Sequence, residues 1–404
     1  MVMRNRDFTL LWSGSAVSAL GTSVSTVVYP LLIIAMTGSY AAAGVVGALA
    51  TAANVLLQLP AGVVVDRFDR RRVMLVCDLG RAVALASVFV ALLYGGFNLW
   101  HVAGVAFVEG ALTVPHRLAS HAAVRNVVSP EELTAAYGQN EMRDRAAMLM
   151  GTPLGPALLG LGSWVPFLGD ALSKVVSAVM LLFIRKPFQA ERVAPESAGR
   201  MLDDVREGAA WLFRQPFIRA TVILVGGSNL LFQALQLAVI AKLKTADHSD
   251  SEVGLILAAA GIGGTIGALL AARVNAKLSL RSVVIGANWS WALLVPMTLL
   301  ADDLWVLGCV LALIVFIGPI WNIGVDVYRL SLTPDGMQGR VSAAAILIEY
   351  GPIPLGLLLG GYLLDIIGVT WTIAVITAGM VLLALSATIT PVINQQATRQ
   401  EVSS

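Results

Sequence analysis

The chain has 404 residues, 57% hydrophobic and 13% charged, with net charge +2 and mean hydropathy +0.80. Soluble domains carry about 25% charged residues, so an aqueous core cannot hide this much apolar surface and part of the solvent is lipid. The near-zero net charge gives no bulk attraction to nucleic acid, and two isolated cysteines (Cys77, Cys309) with four scattered histidines (His101, His116, His121, His248) argue against a structural metal.

A membrane helix needs about 20 apolar residues. Taken in chain order, twelve such spans are predicted, at 9–36, 41–64, 73–95, 100–124, 133–161, 164–184, 217–241, 253–273, 281–301, 304–326, 339–363 and 369–391. No basic region, short apolar core and cleavage site stand in series before the first, so it is expected to remain as a membrane helix. Between the second and third lies Gly62 to Val73, where Arg67, Arg70, Arg71, Arg72, Asp66 and Asp69 fall within seven residues. Such a cluster cannot lie in hydrocarbon and must form a water-facing turn. The longest polar connection, 185–216, follows the sixth span. It divides the chain into an N-terminal six-helix bundle (1–184), a linker (185–216) and a C-terminal six-helix bundle (217–404). Met201, Val205, Ala209 and Leu212 recur at helical spacing in the linker, which predicts a short amphipathic helix on the inner membrane face or, in the plainer reading, a solvated connector.

Cations alternate with this map. With both termini inside, the inner segments and span ends hold Arg4, Arg6, Arg67, Arg70, Arg71, Arg72, Arg125, Arg185, Lys186, Arg192, Arg200, Arg206, Arg214, Arg219, Arg273, Lys277, Arg281, Arg329, Arg340 and Arg399. The outer loops hold Lys242 and Lys244, which is the bias of the positive-inside rule. The halves also echo one another. Gly151-Thr152-Pro153-Leu154-Gly155 matches Pro352-Ile353-Pro354-Leu355-Gly356, and Ser129-Pro130-Glu131 matches Thr333-Pro334-Asp335, at offsets of 201 and 204 residues. Two six-helix repeats related by an axis along the membrane normal would produce such offsets.

Ionisable groups within spans face the bundle interior or a water-filled cavity. Spans four and five carry Glu109, Arg117, Glu141, Arg143, Asp144 and Arg145. Arg117 lies at the depth of Glu141 and is expected to pair with it or with Asp144, while Glu141 and Arg145 are i,i+4 neighbours. The group is either a structural ion-pair network or part of a proton path. Glu109 and Glu349 have no cation within a turn on their own helices and are the leading proton carriers, with Glu141 and Asp144 behind them. Asp170 and Lys174 form an expected i,i+4 pair, and Asp326 and Arg329 a boundary or gating pair. Asn229, Gln233 and Gln236 share one stripe of span seven, and Ser18, Thr22, Asn54, Gln58, Trp321 and Asn322 add polar groups from spans one, two and ten. Neutral polar groups on an apolar wall suit a small amphipathic organic molecule, although each amide could equally serve as an interhelical hydrogen bond.

These motifs resemble those of the major facilitator superfamily. The loop Gly62, Asp66, Arg67, Arg70, Arg71 is similar to that family's G-x-L-x-D-R-x-G-R-R, with Val64 and Asp69 as departures. Gly151, Gly155, Pro156 and Gly160 resemble the antiporter motif of its exporter branch, with Leu159 in place of a glycine, and Asn5-Arg6-Asp7-Phe8 and the Ser-Pro-Glu-Glu-Leu run look like bacterial drug and siderophore exporters. The resemblance implies a proton-coupled, alternating-access antiporter in the bacterial inner membrane, monomeric, with Asp66 and its arginines acting as an inner-side latch against span eleven. A lipid or metabolite carrier, possibly a uniporter, is the alternative. No H-E-x-x-H, G-x-S-x-G or nucleotide loop supports an enzyme or an ATP-driven pump, and no cofactor is expected.

Overall fold

The computed structural model describes residues 5–189 and 198–390. Arg4, Arg192 and Arg399, the side chains of Arg200 and Met201, and residues 391–404 of the predicted C-terminal bundle lie outside the described set. Among the described residues all regular structure is helical: α1 (Arg6–Thr37), α2 (Tyr40–Leu56), α3 (Gln58–Arg67), α4 (Arg70–Leu93), α5 (Leu99–Val127), α6 (Leu133–Leu161), α7 (Val165–Phe183), α8 (Ala198–Arg214), α9 (Pro216–Thr245), α10 (Asp250–Asn275), α11 (Leu280–Leu300), α12 (Leu304–Leu332), α13 (Gln338–Tyr350) and α14 (Ile353–Ile389). Polar residues set the helix starts. The side chains of Asn5, Ser39, Asp69, Asn98, Ser279 and Asp303 each accept from a backbone N–H of the following first turn, satisfying donors that the helix itself leaves open.

The twelve predicted crossings map onto these helices. Among the described residues, eight helical segments are long and apolar enough to cross a bilayer, and the pair α2–α3 makes a ninth. The last of the eight, Asp335–Ile389, holds two predicted crossings. It turns at Gly368, whose φ of 74° and ψ of 178° are non-helical and suit a residue without Cβ. The two remaining crossings are α5 and α6, whose hydropathy is lowered by Glu109, Arg117, Glu141, Arg143, Asp144 and Arg145. Span two is broken at Leu57, because Pro60 has no N–H to continue the ladder from α2.

The chain divides into two compact units, Met1–Ala198 with Asp250–Gly254, and Gly199–Ser249 with Leu255–Ser404. In the first, α1 packs on α6 and α7, α4 on α5 and α7, and α2 on α5. In the second, α14 packs on α9 and α11, and α13 on α9. The linker helix α8 groups with the second unit. Its Leu212 is fully buried with Ile218, Val222, Val341 and Ala345, while Arg340 of α13 clamps Asp204 (2.8 Å) and Glu207 (2.7 Å). Protein therefore covers part of the apolar stripe assigned from sequence to the membrane face.

Candidate functional site

The first unit encloses a network of charges that spans four helices. On α7, Asp170 and Lys174 are both fully buried and pair at 2.8 Å. Lys174 Nζ also donates to Ser18 O (2.5 Å) and Thr22 Oγ1 (2.7 Å) of α1, and Asp170 accepts from Ser25 (2.6 Å) and Ser173 (3.0 Å). Each charge thus carries the additional hydrogen bonds that a buried ion pair needs to offset its desolvation. Thr22 joins this pair to the next one, because Arg81 Nη2 of α4 donates to Thr22 Oγ1 (2.6 Å) and reaches Glu109 Oε1 of α5 (3.4 Å). The other oxygen of Glu109 accepts from the Tyr29 hydroxyl (3.0 Å).

Glu109 is therefore not the isolated carboxylate its own helix suggests: the cation that faces it comes from the neighbouring helix. One turn before Arg81 on α4, the fully buried Asp78 lies 3.3 Å from His116 Nε2 of α5. Sequence reasoning misses Arg81, Asp78, His116 and Tyr29 as site residues. Asp78 and Arg81, three residues apart in an apolar run, are the available signal.

Of these groups, Ser18, Thr22, Arg81 and His116 border a cavity of about 330 Å³ lined by α1, α4, α5 and α6, with Arg117, His121, Arg143 and Asp144 also on its wall. The charged cluster predicted on spans four and five reaches this cavity, with different pairing. Arg143 bridges to Asp144 (2.9 Å) and donates to Asn140 (3.1 Å), and Arg145 pairs with Glu141 (2.9 Å) near the surface. Arg117 donates to Gln58 of α3 (3.0 Å). Glu141 and Asp144, the acids expected to face Arg117, are each also engaged by an arginine of their own helix.

Of the predicted cavity residues, Ser18 and Thr22 line this cavity, whereas Asn54, Gln58, Asn229, Gln233, Gln236, Trp321 and Asn322 are not among its lining. Trp321 is fully buried against Trp291, with ring centroids 5.0 Å apart, and belongs to the core of the second unit. Asn229 donates to the Glu349 carbonyl (2.9 Å) and ties α9 to α13. Gln236 and Asn322 are exposed, and Asn54 and Gln233 are half-buried. Glu349, like Glu109, gains a partner from another helix: Arg329 Nη1 donates to its Oε1 (2.7 Å), while Nη2 reaches Asp326 (2.7 Å).

Around the predicted loop, cationic side chains bind backbone carbonyls, those of Leu182 and Val127 lying in the last turns of α7 and α5. Arg70 donates to the carbonyls of Ala122 and Phe188 (3.2 Å each), Arg71 to that of Leu182 (2.5 Å), and Lys186 to that of Val127 (2.8 Å). Cations at helix C-termini satisfy orphan carbonyls and complement the dipole. Asp69 stands where the family has glycine. It caps α4 through Arg72 N (2.9 Å) at φ −60°, so this turn does not require a left-handed residue. Asp66 and Arg67 are exposed at the end of α3, and Gly62 is half-buried within it. On α6, a Cβ at Gly155 would lie 3.0 Å from Val24 O, and one at Gly151 would overlap Ser23, so both glycines set the close approach of α6 to α1. Gly151, Gly155 and Pro156 are buried, whereas Gly160 is exposed and faces open space.

Comparison with known proteins agrees with this architecture. The family model for transmembrane secretion effectors of the MFS type matches residues 2–404. The multidrug efflux pump Tap of Mycolicibacterium fortuitum is 25% identical over 402 residues, covering 95% of each chain. Macrolide efflux protein A of Streptococcus pyogenes is 24% identical over 220 residues, 54% of each chain. Among solved structures, the nucleoside transporter NupG superposes with a TM-score of 0.80 at 12% identity, covering 95% of this chain and 99% of that one. A bacterial homologue of the iron transporter ferroportin gives 0.71 at 17%, covering 95% and 98%. The match along almost the whole sequence, on a helical bundle of this fold, makes the chain a member of the transmembrane secretion effector family of major facilitator transporters.

Proposed function

We propose that the chain is a secondary exporter that moves a small organic compound out of the bacterial cytoplasm by alternating access, driven by proton entry. Export is supported by the family and by two relatives whose names describe multidrug and macrolide efflux. The proposed setting is the inner membrane with both termini cytoplasmic, in keeping with the cation distribution. Asp66, Arg67, Arg70 and Arg71 would then lie on the inner side, where the proposed latch would act.

The observation that carries proton coupling is the position of Glu109. It is buried, within reach of one cation and one hydroxyl, and linked through Arg81 to the cavity wall. Proton uptake by Glu109 would release Arg81 from its counter-charge. Proton loss would restore the pair. A two-state carboxylate of this kind can bias the conformations of a transporter. Glu349 with Arg329 offers the equivalent arrangement in the second unit, and Glu141 and Asp144 are secondary candidates.

The test uses proteoliposomes carrying an internal pH dye, with substrate added outside. Glu109→Gln and Glu349→Gln are each made, and coupled proton movement should fall at least tenfold in one of them. Normal coupling in both variants would remove the proposal. Transport that persists unchanged without a pH gradient would favour a uniporter of the same fold.

A further inference from the structure

We infer that the cavity of the first unit holds the anionic group of an acidic organic compound: a carboxylate, sulfonate or phosphate. The claim rests on the export reading for the compound's fate, but binding itself does not depend on it.

The composition of the wall is the first observation. Guanidinium groups converge on the cavity from three helices, Arg81 from α4, Arg117 from α5 and Arg143 from α6, and His116 and His121 join them from α5. Asp144 is the one carboxylate among the lining residues, and Arg143 already engages it. The remaining lining groups are hydroxyls and Ala19. An ammonium ligand would face three guanidinium groups, and like charges repel.

The second observation is where the other acids lie. Glu109 is 4% exposed and engaged by Tyr29 and Arg81, and Asp170 is 1% exposed and engaged by Lys174, Ser25 and Ser173. Asp78 is fully buried behind His116. These three carboxylates balance charge from behind the wall and are not among its lining residues. Glu141 sits out near the surface with Arg145. The charged groups that meet a ligand are therefore mainly cationic.

Unspent donor capacity is the third observation. Arg81 is 98% buried, and its Nε has no hydrogen-bond partner among the described residues. Planar guanidinium forks match the oxygens of carboxylates, sulfonates and phosphates, so an anionic group entering here would find donors from several helices at once. The polar amides of α9 and α12, which suggested a neutral amphipathic ligand, are not among the lining residues.

The experiment uses the full chain in lipid nanodiscs, with empty nanodiscs as the partition control, and matched probes on one ring system. Calorimetry at pH 7.5 compares 2-naphthoate, naphthalene-2-sulfonate and 2-naphthyl phosphate with 2-naphthamide and 2-naphthylmethylamine. At least one acid should bind tenfold or more tightly than both the amide and the amine. Arg117→Gln lies at an exposed position and should weaken that acid about tenfold without shifting the melting temperature. Arg143→Gln should also weaken that acid, and Arg117→Lys should recover part of the affinity lost in Arg117→Gln. The inference is overturned if none of the three acids binds, if the amide or the amine binds as tightly, or if both Gln variants bind the acid as well as the parent. Proteoliposome efflux then separates the two readings. An acid that binds through the arginines but is never moved against a gradient would sink the export reading alone. An amine that is exported while no acid binds would sink the present inference alone.

Discussion

Asp170 and Lys174 show how much a single pair can carry in this protein. Both are fully buried, and each is held by hydrogen bonds from α1 or from its own turn. Removing one member leaves an uncompensated charge, which costs about 3–5 kcal/mol in buried pairs. Lys174→Met should therefore lower the melting temperature in detergent markedly, and Asp170→Leu likewise. The double variant should recover part of the loss, because no naked charge remains. Single variants that melt like the parent would contradict this account. Same-helix pairs are legible in the sequence: Asp170–Lys174 and Glu141–Arg145 follow from i,i+4 spacing alone. Cross-helix pairs are not. Depth in the membrane can be counted from a turn, but the azimuth of each helix cannot, so Arg81–Glu109, Arg329–Glu349 and Arg117–Gln58 emerge only once the helices are packed. For Glu109 and Glu349, the cations that face them, Arg81 and Arg329, come from other helices.

Helices here approach one another through residues without side chains. In α10 a Cβ on Gly267 would overlap the carbonyl of Phe316 in α12, and one on Gly263 would overlap that of Ala312. Lipid tails are as apolar as leucine side chains, so helix association depends on such close packing. Gly263→Ala and Gly267→Ala should each destabilise the protein by about 1–3 kcal/mol, the usual cost of overpacking. Gly286→Ala in α11 meets open space. It should be neutral or stabilise by up to about 1 kcal/mol through helix propensity. Thermal melts of the three variants check the ordering, and a Gly286→Ala loss as large as that of Gly267→Ala would refute it. The glycine-rich stretch of span eight is legible in the sequence as a packing surface. The break between α2 and α3 is not, because hydropathy is blind to the missing N–H of Pro60.

At the scale of the whole molecule, the distribution of cations is the strongest sequence signal, and it predicts a topology. Both lysines assigned to outer loops sit at the end of α9. There Lys242 Nζ donates to the carbonyls of Thr298, Leu299 and Ala301 (2.8–3.0 Å) and lies 3.5 Å from Asp302. That cation is committed to the end of α11 and leaves little free positive charge on this side. The segments assigned from sequence to the inner side carry Arg70, Arg71, Arg72, Arg273, Lys277 and Arg281 in short connections. Loops of this length orient by their Lys and Arg content. In a background with Cys77 and Cys309 replaced by alanine, Ala246→Cys and Ala276→Cys place single thiols in exposed turns on either side of α10. A membrane-impermeant maleimide should label the first in intact cells and the second only after lysis. The reverse pattern would invert the protein. The arginine cavity, the proposed latch and the proton path would then keep their chemistry, but the direction of transport inferred from them would have to change.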